Sequence, residues 1–213
     1  GTGKSTLIHH FIDNSKKKLL LLASTGIAAI NIEGRTIHSF FLFHPGMTTQ
    51  EAEFEYSLAR SRMDILKKTD VIVIDEISMV SSGVMDMIRL RLLQAESKVQ
   101  LIVSGDFLQL PPVIRESDRQ HFMRANPDIP VSRVYGFAFE SEAWHRFDFV
   151  MYNLSEVKRS SDERFIYILD KIRHGMKDQE VMDYIHSLIR PMPQDMQNNT
   201  LLFGKNASVD RHN

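Results

Sequence analysis

The sequence of 213 residues contains no cysteine, which excludes disulfides and thiolate metal sites. No apolar run approaches 18 residues, so no segment is predicted to span a membrane. No segment has the pattern of a secretory signal. These absences lead us to expect an intracellular protein in a reducing compartment.

The sequence also lacks an excess of either sign of charge, because it has 26 basic and 27 acidic residues and a net charge of −1. This balance excludes a uniformly basic coat, so any contact with nucleic acid must be confined to a local groove. Apolar residues make up 43% of the chain, which is enough to bury the core of one sizeable domain.

Short apolar runs between polar breaks are typical of buried parallel strands, and the chain has three of them: Leu19–Ala23, Val71–Ile74 and Leu101–Val103. Apolar residues recur at helical spacing before the first run, and again between the second run and the third. This alternation predicts an α/β fold, with a parallel sheet flanked by helices. Residues 44–62 and 113–136 lack clear periodicity and are expected to form loops or small excursions from the sheet, whereas Thr200–Phe203 is expected to be a late strand.

The chain opens with GTGKST, which matches the last positions of the phosphate-binding loop G-x-x-x-x-G-K-[ST]. In such a loop Lys4 neutralises the β- and γ-phosphates, and the Ser5 hydroxyl binds Mg²⁺. The predicted nucleotide contacts of this segment are Gly1, Thr2, Gly3, Lys4, Ser5 and Thr6. The first glycine of the motif and the strand before it are expected upstream, so we interpret the chain as a fragment.

Two carboxylates, Asp75 and Glu76, follow the apolar run Val71–Ile74 directly. An apolar strand that ends in such a pair is the Walker B arrangement, at the edge where parallel sheets bind ligands. We predict that Asp75 binds Mg²⁺ and that Glu76 orients or deprotonates the attacking water. An ordinary solvated strand end is the alternative.

A glutamine, Gln109, lies in the segment SGDFLQLPP that follows the third apolar run. A glutamine at a strand end beside a nucleotide can sense the γ-phosphate by hydrogen bonding, and the two prolines stiffen the loop. An ordinary loop ended by proline is the alternative.

Four stretches in this order resemble the PIF-type DNA helicases, in the 5′-to-3′ branch of superfamily one with its RecD-like relatives. They are GTGKST, ASTGIAAINIEGRTIHSF (Ala23–Phe40), VIVIDEISMV (Val71–Val80) and VSGDFLQLPPV (Val103–Val113). FAFESEAW (Phe137–Trp144) and LSEVKRSSDERF (Leu154–Phe165) resemble the family as well.

The resemblance implies a RecA-like ATPase domain and roles for further residues. Gln109 would be the γ-phosphate sensor, and Arg159 would reach the nucleotide phosphates. Glutamine usually follows that arginine in the family, whereas Ser160 follows it in this chain. The backbone of single-stranded DNA would be contacted by Ser24, Thr25, Gly26, Thr36, His38 and Ser39.

The resemblance also implies ATP and Mg²⁺ as cofactors, with single-stranded and forked duplex DNA as partners. It implies a monomeric motor that does not bind membranes and acts in DNA repair, recombination and telomere maintenance. The compartment would be the cytoplasm of a bacterium, or the nucleus or mitochondrion of a eukaryote. Residues 1–195 would form the first RecA-like domain, and residues 196–213 would begin a second. The fragment alone is expected to hydrolyse ATP weakly or not at all, and not to unwind DNA.

Two other functions stay open at this point. The chain could be an inactive DNA-binding remnant, although Lys4, Ser5, Asp75, Glu76 and Gln109 are all present. It could also be a P-loop kinase that acts on a small molecule, an interpretation that the segment GDFLQLPPV disfavours.

Overall fold

A computed structural model of the protein describes residues 2–44, 46–54, 57–156, 160–190, 201–204 and 206–212. The chain divides into two compact units, Gly1–Ile166 and Tyr167–Asn213. The first unit contains the sheet and almost all of the motifs described above. The division does not test the expected boundary at residues 195 and 196, which stays a prediction.

Four strands form one parallel sheet in the first unit: β1 (Leu19–Ala23), β2 (Arg35–Thr36), β3 (Val71–Asp75) and β4 (Gln100–Val103). Their spatial order is β2-β1-β3-β4, so β3 pairs on both sides. Every residue of β3 is buried. A strand covered on both faces has continuous apolar sequence rather than alternation, which is why the three predicted strands were recognisable, and all three are confirmed.

Helices precede, separate and follow the strands of the first unit, and the last of these helices crosses into the second unit. In chain order they are α1 (Lys4–Asn14), α2 (Gly26–Asn31), α3 (Ile37–Phe41), α4 (Thr49–Phe54), α5 (Arg60–Lys68), α6 (Ser82–Gln94), α7 (Glu116–Ala125), α8 (Ser132–Tyr135), α9 (Glu142–Phe147) and α10 (Glu163–Arg173). Two 3₁₀ turns, Ile77–Met79 and Ala138–Glu140, follow β3 and α8.

The core has two layers, because successive side chains of a strand point to opposite faces of the sheet. Val71 and Val73 of β3 pack with residues of α1 and α2. Ile72 and Ile74 pack on the other face, with residues of α3 and α6. Helices therefore cover both faces, and the predicted α/β class with a RecA-like parallel sheet is confirmed.

The loops predicted for residues 44–62 and 113–136 were partly wrong. The first region contains α4 and the start of α5, and the second contains α7 and α8. Thr48 and Glu51 form a capping box, since the Thr48 amide donates to Glu51 Oε2 at 2.7 Å and the Glu51 amide to Thr48 Oγ1 at 3.2 Å. This T-x-x-E signal could have predicted α4.

In the second unit, α11 (Gln179–Ser187) and α12 (Asn206–His212) follow the end of α10. Lys171 Nζ lies 2.7 Å from both Asp178 and Glu180, which join the end of α10 to the start of α11. Leu201–Phe203, the described part of the predicted late strand, is not in a strand. Among the described residues, no helix is long and apolar enough to cross a membrane.

Close packing at the turn before β2 predicts a strong effect of a single methyl group. A Cβ atom at Gly34 would lie 2.4 Å from the backbone oxygen of Leu21 in β1. We expect Gly34→Ala to lower the free energy of unfolding by about 1–3 kcal/mol, because the turn must move away from β1. Thermal unfolding of the natural-length protein measures this change.

Gly26→Ala is the matched control, because a Cβ atom there has nothing within 4 Å. We expect it to be neutral or slightly stabilising. Equal unfolding temperatures for the two variants would contradict the packing argument.

Candidate functional site

The phosphate-loop segment leads directly into α1. Gly3 has a left-handed backbone (φ 88°), and Lys4 is the first residue of the helix. The amide of Leu7 donates to the carbonyl of Gly3 at 2.9 Å, so the helical hydrogen bonds start at the loop. Ser5 and Thr6 are exposed and accessible to a ligand. The amides and hydroxyls of this segment suit phosphate oxygens.

The Walker B pair lies where β3 ends. Asp75 is the last residue of the strand and is only 7% exposed, and Glu76 follows with φ 55° in the left-handed region. Residues other than glycine rarely adopt this conformation, and such outliers cluster at functional sites.

The pKa of Glu76 is raised above that of an ordinary glutamate, and burial is the largest cause. The charge of Asp75 raises this pKa further, and Lys4 opposes the shift. Asp106 of the sensor loop contributes in the same direction as Asp75. The fold therefore brings Lys4, the Walker B pair and the sensor loop into one electrostatic environment. A raised pKa suits a group that accepts a proton from water.

The sensor loop, residues 104–112, is joined to the Walker B turn by a backbone hydrogen bond from Ile77 to Ser104 at 2.9 Å. Inside the loop, Asp106 accepts from the Leu108 amide at 3.1 Å and from Gln109 Nε2 at 3.2 Å. The Gln109 side chain is therefore oriented by a neighbouring carboxylate.

An aromatic cluster anchors the sensor loop on its other side. The ring of Phe107 meets Phe139 edge-on at 4.9 Å and Trp144 at 5.7 Å between centroids. Edge-to-face pairs of this kind stabilise packing beyond the burial of area. The loop is thus fixed both to the sheet and to the segment that contains α9.

The oxygen donors of the site fit Mg²⁺. Mg²⁺ uses one or two carboxylates together with water and substrate phosphates, and Asp75 and Ser5 supply a carboxylate and a hydroxyl. Among the described residues, no three His, Asp or Glu side chains form a group that could hold a metal ion. An ion at this site would therefore take its remaining ligands from nucleotide phosphates and water.

The two segments predicted to contact DNA lie side by side at the same edge of the sheet. In the parallel register, Ala23 of β1 pairs with Thr36 of β2. Thr25 Oγ1 accepts from the Ala28 amide at 3.2 Å, and Thr36 Oγ1 accepts from the Ser39 amide at 3.1 Å. Both threonines therefore cap short helices, and each keeps its hydroxyl hydrogen to donate.

His38 is half-buried, and this burial lowers its pKa below the usual value for histidine. The ring is therefore neutral at pH 7 and contributes hydrogen bonds rather than charge.

Arg62 of α5 donates from Nη1 to the carbonyls of Ser39 and Phe40, and its guanidinium lies 5.9 Å from the centre of the Phe40 ring. This residue fixes the end of α3.

Sequence reasoning missed Arg62 and Asp106, the two side chains that orient predicted site residues. The contacts of Arg62 span 22 and 23 residues, so no local pattern indicates them. Asp106, three residues before Gln109, has the spacing of a local side-chain hydrogen bond and could have been found. Gly1 and Arg159 lie outside the described residues.

A parallel sheet with a phosphate loop, strand-end carboxylates and helices on both faces defines a RecA-type P-loop NTPase domain. The chain belongs to the PIF1-like helicase family, because the sequence model of that family matches residues 1–183.

Among curated relatives, the ATP-dependent DNA helicase Pif1 of Campylobacter jejuni is 33% identical over the whole chain. The PIF1 helicase of Saccharomyces cerevisiae is also 33% identical over the whole chain. A Bacteroides Pif1 crystal structure with single-stranded DNA matches with a TM-score of 0.85 and 28% identity. A Bacteroides Pif1 complex with ADP-AlF3 and single-stranded DNA matches with a TM-score of 0.82 and 30% identity.

The chain covers only part of these proteins. It spans 48% of the Campylobacter relative, 25% of the yeast relative and 50% of each Bacteroides chain.

The raised pKa of Glu76 predicts a pH-dependent effect on stability. The folded state binds this proton more tightly than the unfolded state, so stability falls as pH rises from the ordinary to the raised pKa. Glu76→Gln has no proton to lose. We expect its unfolding temperature, relative to the natural protein, to be higher at pH of about 8 than at pH of about 4.

Glu96→Gln is the matched control, because Glu96 is an exposed glutamate that also has a left-handed backbone (φ 48°). A pH-dependent gain of equal size in this variant would show that the effect does not depend on the environment of Glu76.

Proposed function

We propose that this chain is the first motor domain of an ATP-dependent DNA helicase that moves 5′ to 3′ on single-stranded DNA. The observation that supports this most is the register of three adjacent strands, in which Ala23 of β1 pairs with Asp75 of β3 on one side and with Thr36 of β2 on the other. Neighbouring strands lie about 4.8 Å apart, so Thr36 is separated from the Walker B aspartate by a single strand, and Ser24 follows that strand directly. A conformational change at the nucleotide can therefore reach the DNA through the backbones of directly paired strands.

In the nucleotide site, Gly1, Thr2, Gly3 and Thr6 line the phosphates, and Lys4 neutralises the β/γ charge. Ser5 and Asp75 hold Mg²⁺, which supplies electrostatic stabilisation of the phosphoryl group when bound. Glu76 accepts the proton of the attacking water. Gln109 senses the γ-phosphate, and Arg159 reaches the phosphates from the segment before α10.

In the DNA site, the segment Ser24, Thr25 and Gly26 contacts one stretch of backbone phosphates through the Thr25 hydroxyl and the amides of Thr25 and Gly26, because the Ser24 hydroxyl is buried. Thr36, His38 and Ser39 face the next. These groups are neutral and read no base edges, so binding is independent of sequence. This choice of groups agrees with a chain whose net charge is only −1.

The complete motor uses single-stranded and forked duplex DNA as a monomer, inside the cell where DNA and ATP are found. A second RecA-like domain, beginning near residue 196, supplies the remaining phosphate and DNA contacts. Solved relatives support the choice of ligands, since Bacteroides Pif1 has been crystallised with single-stranded DNA and with ADP-AlF3. A further Pif1 structure, with a TM-score of 0.83, concerns unwinding at forked duplex DNA by two coordinating helicases.

The first test measures ATP hydrolysis by the natural-length protein, with and without single-stranded DNA. We expect strong stimulation by DNA, and a loss of at least about 100-fold in Glu76→Gln, because the proton acceptor is removed. Glu96→Gln, the exposed control, should keep the stimulation.

The remaining outcomes distinguish the other functions. Absence of hydrolysis under both conditions would favour an inactive remnant. Hydrolysis that is equal with and without DNA would favour a small-molecule kinase.

The DNA site predicts a specific role for Arg62. We expect Arg62→Met to weaken the affinity for single-stranded DNA about tenfold, because α3 loses a charged hydrogen bond to its last carbonyls. Fluorescence anisotropy with a labelled oligonucleotide measures this affinity. Arg60→Met, an exposed position on the same helix, removes the same charge and controls for general electrostatics. Equal losses in the two variants would contradict a positioning role.

A further inference from the structure

A cavity of about 340 Å³ opens at the carboxyl edge of the sheet, beside the proposed DNA contacts. Its lining includes two of those residues, Ser24 and His38, together with side chains of α6, α8 and the segment after the sensor loop. The volume is near the lower end of the range of small-molecule pockets, about 300–1,000 Å³. The cavity therefore suits a single flat ring system better than a larger ligand.

The cavity wall is mostly apolar, with contributions from Met79, Val84 and Val113. Ser24 Oγ is buried and has no hydrogen-bond partner among the described residues. His38 is neutral, so its ring can donate or accept. A nucleobase has matching chemistry, since its faces are apolar and its edge carries hydrogen-bonding groups. The wall also includes the polar side chains of Arg115, Asp118 and Tyr135, which supply hydrogen-bonding groups for the edge of a base.

The position of the cavity suits a base of a strand whose backbone is bound outside it. Thr36 lies beside the end of β1 in the sheet register, and Ser24 follows that end directly. A phosphate bound at the Thr36 hydroxyl places its own nucleotide beside the cavity. The base can then enter while the backbone stays on the surface.

The same wall is continuous with the ATPase motifs. The Ser24 amide donates to the Asp75 carbonyl at 3.3 Å, and the Met79 amide donates to the Glu76 carbonyl at 3.1 Å. Pro112 and Val113, which line the cavity, come three and four residues after Gln109. Three parts of the wall are therefore directly connected to the residues assigned to Mg²⁺, water and the γ-phosphate.

We propose that this cavity is a nucleobase pocket, which receives one base of the bound single strand and couples its presence to ATP hydrolysis. The proposal rests on the proposed function, because it requires a strand on the neighbouring backbone contacts. It adds that the base, and not the phosphate backbone alone, stimulates hydrolysis.

The test compares two oligonucleotides of equal length, one of thymidine and one of abasic tetrahydrofuran units, on the natural-length protein. Anisotropy measures binding of each, and ATP hydrolysis is measured at saturating concentrations. We expect both to bind, but the abasic strand to stimulate hydrolysis about tenfold less, within the usual range of coupling between two sites.

Two variants of cavity-lining residues and one control variant test whether the difference between the two strands depends on the cavity. Val84→Phe fills the cavity from α6, and we expect its stimulation by thymidine to fall to the abasic level. Val113→Phe enlarges a lining residue that is 83% exposed, so folding is not at risk there. Leu93→Phe enlarges an exposed residue of α6 outside the cavity and should keep the full difference between the two strands.

Equal stimulation by the two strands at saturation would overturn the pocket while leaving the proposed function intact. Retention of the difference in both cavity variants, as in Leu93→Phe, would also overturn it. Failure of either strand to bind or to stimulate hydrolysis would instead overturn the proposed function, and the pocket proposal with it.

Discussion

The parallel pairing of β1 with β3 is the interaction on which the rest of this domain depends. Leu19 pairs with Val71 and the register continues to Ala23 and Asp75, so both strands end at the same edge. Three of the site residues lie at or just beyond this edge: Glu76 after β3, Ser24 after β1, and Thr36 at the end of β2. A slip of one residue would turn every side chain of the strand to the opposite face.

The site itself contains several unfavourable features, and the core makes them tolerable. Glu76 has a left-handed backbone and a raised pKa beside the buried Asp75. Such features destabilise a fold locally and persist where the surroundings determine them. In this domain β3 is buried along its whole length between two apolar layers. Burial of its four apolar side chains stabilises the fold by roughly 6–12 kcal/mol before conformational entropy is counted.

The sequence predicted those elements whose burial leaves a simple pattern. The strands have continuous apolar runs because helices cover both faces, and α6 has helical spacing because it packs along the sheet. It did not predict α7 and α8, since α7 is a polar helix that buries Phe122 and α8 has only four residues. The T-x-x-E signal of α4 was present and overlooked.

The sequence by itself determined the chemistry: a phosphate loop, a strand ending in two carboxylates, and a glutamine on a stiff loop, in the order of a PIF-type helicase. Local spacing carries that information because each motif is contiguous. Only the tertiary structure decided which motifs meet and which residues orient them. The register that sets Asp75 one strand from Thr36, the reach of Arg62 to α3, and the cavity between Ser24 and Val113 all join residues far apart in the chain. Long-range packing creates such contacts, and no periodicity in the sequence encodes them.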